Sequence, residues 1–251
     1  MTKEKMMEIV LMQLSVDYNC KPEDFFRDDI IFTYAQKNEG RRDLPFRNPR
    51  LEMITMGRGV IVNASPNIMP YVKRKLQNKT RYDIMNSSLV YGINPYYLPD
   101  IDHIKLIENN NYKFKLFEKD KIGFLYNFKG FKNALQYDER LYGEDVLAVA
   151  AYDGEKIIGV AGASADSKTM WQIGVDVFPE YRGNQIAPAM VNTLTLEILD
   201  RGIVPYYSTD CTNIASQRVA VKSGYIPSWS HCYRSRITKN PFTKFVLNFV
   251  K

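Results

Sequence analysis

The sequence predicts an α/β fold with a mixed β-sheet of the α+β type. Three observations support this fold class: a strand–loop–helix junction at residues 175–198, a β-hairpin at residues 145–162, and a second strand–helix pair at residues 204–225. Apolar residues recur with a period of two in the strands and of 3.6 in the helices. Strands and helices that alternate in this way favour an α/β fold over an all-helical or all-strand one.

The junction begins as a buried strand and ends as a helix. Val175 and Val177 give the β-branched character of a strand, and Pro179 ends the pairing because it has no N–H to donate. Residues 182–184 have turn chemistry, and residues 186–198 carry apolar side chains at helical spacing. The first N–H groups of a helix are unpaired and lie at the positive end of its dipole, so the junction predicts a phosphate site.

The hairpin precedes the junction. Two strand-like runs, residues 145–152 and 156–162, are joined by Asp153-Gly154, which is the strongest short hairpin signal. A further turn at residues 166–168 leads into the strand of the junction. Together these runs predict an antiparallel meander.

A second strand–helix pair follows the junction. Residues 204–210 have strand character, and residues 213–225 have helical spacing closed by Gly224, a residue type favoured at helix C-termini. In this order, the hairpin, the junction and the strand–helix pair resemble the core of the GNAT superfamily of acyl-CoA-dependent N-acetyltransferases. The resemblance covers roughly residues 112–236.

The junction resembles motif A of this family, in which a loop Gln/Arg-x-x-Gly-x-Gly/Ala follows a strand that ends Val-x-Pro. Arg182, Ile186 and Ala187 fit the pattern. The family's first glycine falls on Gln185, which departs from it. Gly183, two residues earlier, is expected to supply the flexibility instead.

The last helix resembles motif B, with these matching residues: Asn213, Ser216, Lys222, Gly224 and Tyr225. In the family the asparagine hydrogen-bonds the pantetheine arm of coenzyme A, and the resemblance implies that role for Asn213. It implies acetyl-CoA as co-substrate and no metal. The implied cofactor-binding residues are Val175, Val177, Arg182, Gly183, Asn184, Gln185, Ile186, Ala187, Asn213 and Ser216.

The residues that would move protons depart from the family pattern. Many members carry a tyrosine seven residues after the motif B asparagine, where this chain has Ala220, and some carry a glutamate five residues before it, where this chain has Ser208. The candidate catalytic residues are then Ser216, one turn before Ala220 on the same helical face, and Asp210 at the end of the strand. Asp176 alternates with its neighbours, so it points to the opposite face of the sheet and is a weaker candidate.

Other conspicuous side chains near these motifs are interpreted as packing residues. Tyr206 and Tyr207 are expected in the core, and Trp229 is expected to form a core or pocket wall. Cys211 has no histidine near it in sequence, so it is expected to pack as a small hydrophobe rather than to act as a nucleophile.

The resemblance implies a GNAT-like acyltransferase core at residues 111–251. Residues 1–110 lie outside it and are expected to form an N-terminal α/β module. It implies an enzyme, an N-acetyltransferase that passes an acetyl or short acyl group from acyl-CoA directly to a small-molecule or peptide amine. Because Ala220 and Ser208 replace the usual acid and base, a non-catalytic acyl-CoA-binding or regulatory protein on the same fold remains the alternative.

Composition narrows the class of protein. The net charge of +6 favours anionic ligands, but the basic residues are scattered, so we expect no direct nucleic-acid contact; an RNA- or ribosome-associated acetyltransferase is the third hypothesis. Two histidines and three widely spaced cysteines predict neither a zinc site nor a disulfide framework. No apolar run approaches the roughly 20 residues of a membrane span, and we expect a cytoplasmic protein.

The N-terminal module is predicted to contain its own helices and strands. Residues 3–19 predict a helix, and residues 30–34 and 51–64 predict strands. Ser65 is expected to be the N-cap of a helix that has Pro66 at its first position. Several roles remain open for this module: a substrate lid, a recognition module, a homodimer interface, a degenerate GNAT-like half or additional core.

Several connecting segments also carry predictions. The turn-rich residues 94–99 are the candidate linker, and residues 120–126 and 131–135 are expected to be short helices. The aromatic-rich residues 241–250 are expected to form a final strand or a docked segment. The acceptor site is expected to be shaped by the N-terminal module and residues 229–233.

Overall fold

The structure is a computed structural model that describes residues 1–42, 49–137 and 144–234. Its strands, in chain order, are β1 Ile30–Tyr34, β2 Leu51–Thr55, β3 Val60–Ala64, β4 Tyr91–Pro99, β5 Lys113–Glu118, β6 Asp145–Asp153, β7 Lys156–Ser164, β8 Met170–Val177, β9 Val204–Ser208 and β10 Tyr225–Arg234. Its α-helices are α1 Lys3–Tyr18, α2 Met69–Leu76, α3 Arg81–Met85, α4 Lys119–Ile122, α5 Ile186–Asp200 and α6 Ile214–Lys222.

All ten of these strands join in one sheet, in the order β1-β3-β2-β10-β4-β9-β8-β7-β6-β5. Neighbours are antiparallel except for two parallel pairs, β1 with β3 and β8 with β9. A parallel pair needs a long crossover, and α5 provides it between β8 and β9. The predicted fold class, α/β elements on a mixed sheet, is confirmed.

The elements predicted around the motifs are present. The β6–β7 hairpin closes at Asp153, which pairs with Lys156, and Gly154 has φ 59°, as a tight hairpin turn requires. The junction forms β8 and α5, and the second strand–helix pair forms β9 and α6. These predictions succeeded because each element carries its own periodic pattern and its own turn residues.

The predicted linker at residues 94–99 is wrong, because these residues belong to β4 in the interior of the sheet. Tyr97 and Leu98 are buried, at 3% and 1% exposure. Proline is tolerated here for a positional reason: β9 pairs with β4 only at Tyr96 and Tyr97, beyond Pro95, and Pro99 is the last residue of the strand.

Two helix predictions also need correction. The helix after β3 begins at Met69, with Ile68 as its N-cap, rather than after Ser65, whose hydroxyl accepts a hydrogen bond from the Arg50 N–H. Residues 131–135 form a turn rather than a helix. The short helical segment predicted at residues 120–126 is present as two pieces, α4 and a single 3-10 turn.

The two faces of the sheet carry separate hydrophobic cores. On β6, Leu147 and Val149 point to the face covered by α5, where Met190 and Leu194 are fully buried. The alternate residues of the same strand, such as Ala148, point to the other face, which α4 and the turn at residues 131–135 cover. The junction is thereby fixed from both sides.

The turn at residues 131–135 lies directly on the sheet. A Cβ atom on Gly174 of β8 would overlap the carbonyl of Asn133, and one on Gly162 of β7 would overlap that of Ala134. Only glycine permits this close approach of two backbones. The turn therefore reaches β8 next to the place where β8 and β9 separate.

The first 110 residues share the sheet with the remainder of the chain. β10 pairs with β2 on one side and with β4 on the other. α1 packs its fully buried Val10 and Leu14 into a core that also contains Trp229 of β10. The segment at residues 241–250, for which a strand or docked segment was predicted, lies outside the described residues.

Buried ion pairs lie within the first 110 residues. Asp17 of α1 pairs with Arg42, and Glu52 of β2 pairs with Arg50, with all four residues at most 6% exposed. The His231 Nε2 atom of β10 lies 3.6 Å from Glu52 Oε1. Burial alone would raise the pKa of Glu52, but the contact with His231 and the charge of Arg50 lower it from 4.5 to about 2.

Candidate active site

β8 and β9 separate inside the sheet. Their parallel pairing runs from Met170 with Val204 to Ile173 with Tyr207 and then stops, although β8 continues to Val177. The pairing with β9 therefore ends four residues before Val177, the last residue of β8.

The two strands separate because each remains with its neighbour on the other side, β9 with β4 and β8 with β7. The Thr209 N–H donates to Pro95 O at 3.4 Å, and the Cys211 N–H donates to Ile93 O at 3.0 Å, so the chain after β9 follows β4. β8 remains paired with β7 as far as Val177, which lies opposite Gly159. After Ile173, the edge of β8 on the β9 side has no strand partner.

A cavity of about 750 Å³ occupies this opening. Its wall brings together all the predicted cofactor-binding residues except Asn184, namely Val175, Val177, Arg182, Gly183, Gln185, Ile186, Ala187, Asn213 and Ser216. Asp210, the other candidate catalytic residue, also lies on the wall. Two segments that are far apart in sequence are therefore brought to one site.

The loop before α5 has the backbone that the family glycine would favour. Gln185, the N-cap of α5, is left-handed with φ 58° and ψ 18°, and Gly183 has φ 89°. A left-handed backbone is unfavourable for a residue with a Cβ atom. The position at which motif A has glycine therefore carries a backbone that glycine adopts more readily than glutamine.

The first turn of α5 opens onto the cavity. Ile186, Ala187 and Pro188 line it, and the N–H groups of Ile186 and Ala187 precede the first intrahelical bond, which Ala189 makes to Gln185 O. Unpaired donors at the positive end of a 15-residue helix attract phosphate oxygens. This end of the cavity suits a diphosphate.

Three basic side chains reinforce this end. Arg182, Arg218 and Lys222 are exposed and line the cavity. The Arg182 Nε atom donates to Val177 O at 3.1 Å, which caps the end of β8 and fixes the side chain beside the loop. The sequence analysis missed Arg218, although its spacing of four residues from Lys222 places both on one face of α6.

Asn213 and Asp210 shape the turn between β9 and α6. The Asn213 Oδ1 atom accepts the Ser216 N–H at 3.1 Å and caps α6, which leaves the side-chain NH₂ as a donor. The Asp210 Oδ1 atom accepts from the Thr212 N–H and hydroxyl at 2.7 and 2.6 Å. These hydrogen bonds lower the pKa of Asp210, which makes it a weak base.

Ser216 is joined to a residue that the sequence analysis assigned to packing. The hydroxyls of Ser216 and Tyr207 lie 2.8 Å apart, and both residues line the cavity. Burial raises the pKa of Tyr207, and its hydrogen bond with Ser216 offsets only part of that rise. Ala220, which takes the place of the family tyrosine, is fully buried in the same core cluster as Tyr207. A tyrosine hydroxyl is thus present at this wall, but it comes from β9 rather than from α6.

Tyr206 is a packing residue, as expected. It is fully buried, and its ring stacks with that of Tyr96 at 5.8 Å between centroids. Its hydroxyl donates to Asp166 and contacts Gln172 Oε1 at 3.4 Å. The Gln172 Nε2 atom in turn donates to Ser208 Oγ at 2.9 Å, which fixes the serine that takes the place of the family glutamate.

Asp176 points to the opposite face, as expected from the alternation. Its carboxylate accepts three hydrogen bonds from the turn at residues 131–135, from the Asn133 N–H at 2.7 Å, the Asn133 Nδ2 atom at 2.6 Å and the Ala134 N–H at 3.1 Å. It therefore anchors this turn over the sheet.

Some predicted neighbours of the site lie elsewhere. Cys211 is exposed rather than packed, because it lies in the turn after β9, and it does not line the cavity. Trp229 is buried in the core against Tyr96, with ring centroids 5.0 Å apart. Of the described residues that line the cavity, none comes from residues 1–110 or 229–233, which were expected to shape the acceptor site.

No helix within residues 1–42, 49–137 and 144–234 is both long and apolar enough to cross a membrane. The same residues contain no group of three His, Cys, Asp or Glu side chains that could hold a metal ion.

Solved structures with similar folds include acetyltransferases. One is an acetyltransferase of the GNAT family from Colwellia psychrerythraea, with 14% identity and a TM-score of 0.44, over 59% of this chain and 57% of that one. Another is a GCN5-related N-acetyltransferase-like protein from Streptococcus suis, with 18% identity and a TM-score of 0.41, over 71% and 72% of the two chains. A third is an aminoglycoside acetyltransferase from an uncultured soil metagenomic sample, with 12% identity and a TM-score of 0.33, over 46% and 88%.

The family assignment depends on sequence rather than on these distant structures. No curated protein matches the chain. A family model described as GNAT acetyltransferase matches residues 48–233. Because this match runs from just before β2 almost to the end of β10, the chain belongs to the GNAT acetyltransferase family.

Proposed function

We propose that this protein transfers an acetyl group from acetyl-CoA directly to an amine acceptor. The observation that carries the proposal is one cavity that joins the N-terminal end of α5 to a polar wall between two separated strands. The donors at the start of α5, together with Arg182, Arg218 and Lys222, suit the diphosphate of coenzyme A. The amide groups of its pantetheine arm suit the unpaired edge of β8.

Attack by the amine on the thioester requires a polarised carbonyl and a protonated leaving group. The unpaired edge of β8 after Ile173 offers backbone donors for the carbonyl oxygen. Tyr207, with Ser216 as its hydrogen-bond partner, is the acid that we assign to the departing thiolate. Direct transfer is favoured over a route through an acyl-cysteine intermediate because none of the described lining residues is a cysteine.

The amine must lose its proton before it attacks. Asp210 and Asp176, the two carboxylates on the cavity wall, are both engaged in hydrogen bonds, and those made by Asp210 lower its pKa. We therefore propose that water in the cavity beside Ser208 and Thr209, rather than a carboxylate base, accepts the proton that the amine loses. The acceptor is proposed to be a small-molecule or peptide amine.

The alternative is a protein that binds acyl-CoA without turning it over. The engaged carboxylates and Ala220 favour it, because the acid and base of the family motifs are both replaced. In that case the cavity would hold acyl-CoA as a regulatory ligand, and no amine would promote thiol release.

Calorimetric titration with acetyl-CoA, followed by thiol release with a panel of amines, distinguishes the two proposals. Micromolar binding with amine-dependent release is expected for the acetyltransferase. Binding with no release from small amines, polyamines or peptide N-termini would favour the regulatory protein. Absence of binding would overturn both.

A further inference from the structure

The loop before α5 holds an unfavourable backbone without the glycine that would relieve it. Gln185 keeps φ 58°, and its side chain makes no capping hydrogen bond at the helix end. A left-handed residue with a Cβ atom persists where the surroundings over-determine it. Within the loop, the Asn184 Nδ2 atom donates to Tyr181 O at 3.2 Å, and a contact from outside the loop adds to this support.

The contact comes from the segment that connects β4 to β5. The Asn109 Nδ2 atom donates to Asn184 O at 2.9 Å, across 75 positions of sequence. The Asn109 Oδ1 atom accepts the Asn111 N–H at 3.3 Å, which orients the side-chain amide. A second contact supports the first, because the ring of Tyr112 meets the ring of Tyr181 edge-on at 6.4 Å between centroids.

The connecting segment is itself fixed to α5. Asn192 is fully buried, and its Nδ2 atom donates to Lys105 O at 3.0 Å while its Oδ1 atom accepts the Ile107 N–H at 2.9 Å. The same Nδ2 atom donates to Ser223 O, at 3.1 Å, at the end of α6. The segment that holds the loop is therefore anchored in the helix that the loop precedes.

The planarity of the peptide bond between Asn184 and Gln185 fixes the direction of the Gln185 N–H. Asn184 C=O and Gln185 N–H belong to one planar trans peptide, so they point in opposite directions. Gln185 lines the cavity, whereas neither Asn184 nor Asn109 is among its lining residues. With Asn184 O held by Asn109, the Gln185 N–H points away from Asn109.

We propose that Asn109 is a positioning residue for the phosphate end of the cavity. It holds the Asn184–Gln185 peptide in the orientation that presents the Gln185 N–H to an anionic ligand. This role compensates for the absence of glycine at position 185. It depends on the proposed function only in that the ligand is taken to be acetyl-CoA, whose diphosphate would meet the loop.

Substitution Asn109→Ala tests the proposal, with Asn110→Ala as the matched control because Asn110 is an exposed neighbour. Loss of one hydrogen bond is expected to weaken acetyl-CoA binding by about three- to tenfold. S-acetylpantetheine, which lacks the diphosphate, should bind both variants as it binds the wild type. Equal weakening of both ligands, or no effect on acetyl-CoA, would overturn the positioning role.

A second substitution checks the mechanism of the effect. Gln185→Gly removes the unfavourable side chain, so it should restore part of the acetyl-CoA affinity when it is combined with Asn109→Ala. If the two substitutions instead weaken binding additively, the left-handed backbone is not what Asn109 supports.

A third measurement needs no ligand. Hydrogen exchange of the amides at residues 182–187 should be faster in Asn109→Ala than in the wild type and in Asn110→Ala. Unchanged exchange would refute the proposal even if acetyl-CoA proved not to bind. Faster exchange in a protein that binds no acetyl-CoA would retain the role of Asn109 in the loop and refute the proposed function instead.

Discussion

The hydroxyls of Tyr207 and Ser216 lie 2.8 Å apart at the wall of the cavity, one on β9 and the other on α6. Tyr207 is only 4% exposed, and burial raises its pKa above the ordinary value of 10.0. The phenol therefore keeps its proton throughout the neutral range. A protonated hydroxyl held by a second hydroxyl is a suitable donor to a thiolate that leaves in the same cavity.

Replacement of Tyr207 by phenylalanine is expected to lower kcat by about 100-fold, because a general acid typically contributes at least that much. The KM for acetyl-CoA should change little, since the substitution leaves the loop and α5 intact. Steady-state kinetics measure both values. Ser216→Ala is the matched variant, and a kcat for Tyr207→Phe no lower than that of Ser216→Ala would exclude Tyr207 as the acid.

Asn213 has two separable roles, and two substitutions distinguish them. Asn213→Ala removes the cap of α6 and should lower the free energy of unfolding by about 1 kcal/mol. Asn213→Ser keeps a capping oxygen but removes the side-chain NH₂. If that NH₂ binds the pantetheine arm, both variants should bind acetyl-CoA more weakly in calorimetry, whereas wild-type affinity in Asn213→Ser would limit the residue to capping.

Gly183 lies in the same loop, and its substitution separates backbone strain from charge. A Cβ atom at Gly183 would meet no other atom within 4 Å, so Gly183→Ala adds only the strain of φ 89°. Gly183→Asp adds the same strain and a negative charge beside the phosphate end. Acetyl-CoA affinity should fall further in Gly183→Asp than in Gly183→Ala, and a larger difference at low salt is expected. Equal affinities of the two variants would contradict a phosphate site at this loop.

The sequence predicts the local parts of this site better than the parts that depend on distant contacts. β8, α5 and α6 have their own periodicity and turn residues, so they could be found without a structure. The left-handed backbone at Gln185 could not, because its contact comes from Asn109, far away in sequence.

The errors have the same origin. Pro95 suggested a linker, but it is paired with Ser230 of β10 and lies just beyond the last β4–β9 residue pair, where its carbonyl accepts the Thr209 N–H. Tyr207 was assigned to packing, and it is indeed buried in the core, but it also lines the cavity. Only the packing of β9 against α6 shows that a strand residue can place a hydroxyl beside Ser216.

The lowered pKa of Glu52 predicts that the free energy of unfolding falls in acid. Folding lowers its pKa from 4.5 to about 2, so its ionised form stabilises the folded state above about pH 4.5, and this contribution is lost as the pH falls towards 2. Urea unfolding of Glu52→Gln should show a flatter pH dependence over that interval than the wild type. Its stability at neutral pH should be lower by about 3–5 kcal/mol, because buried arginines lose their partner.

The control for this measurement is Asp28→Asn, which breaks an exposed pair with Arg58. An exposed pair contributes at most about 1 kcal/mol, so little change in stability is expected. If Glu52→Gln followed the wild-type pH dependence, the acid sensitivity would have to come from other carboxylates.

The position of β10 in the sheet constrains the order of folding. β2 and β4 are not neighbours, and both complete their hydrogen bonds only on β10, which leaves the ribosome after every other strand described here. Until then, a nascent chain exposes two unpaired strand edges, which are sites for pairing with other chains. Chains cut before Tyr225 should therefore aggregate rather than form a smaller stable domain, and the sheet should close late in folding through contacts between distant parts of the sequence.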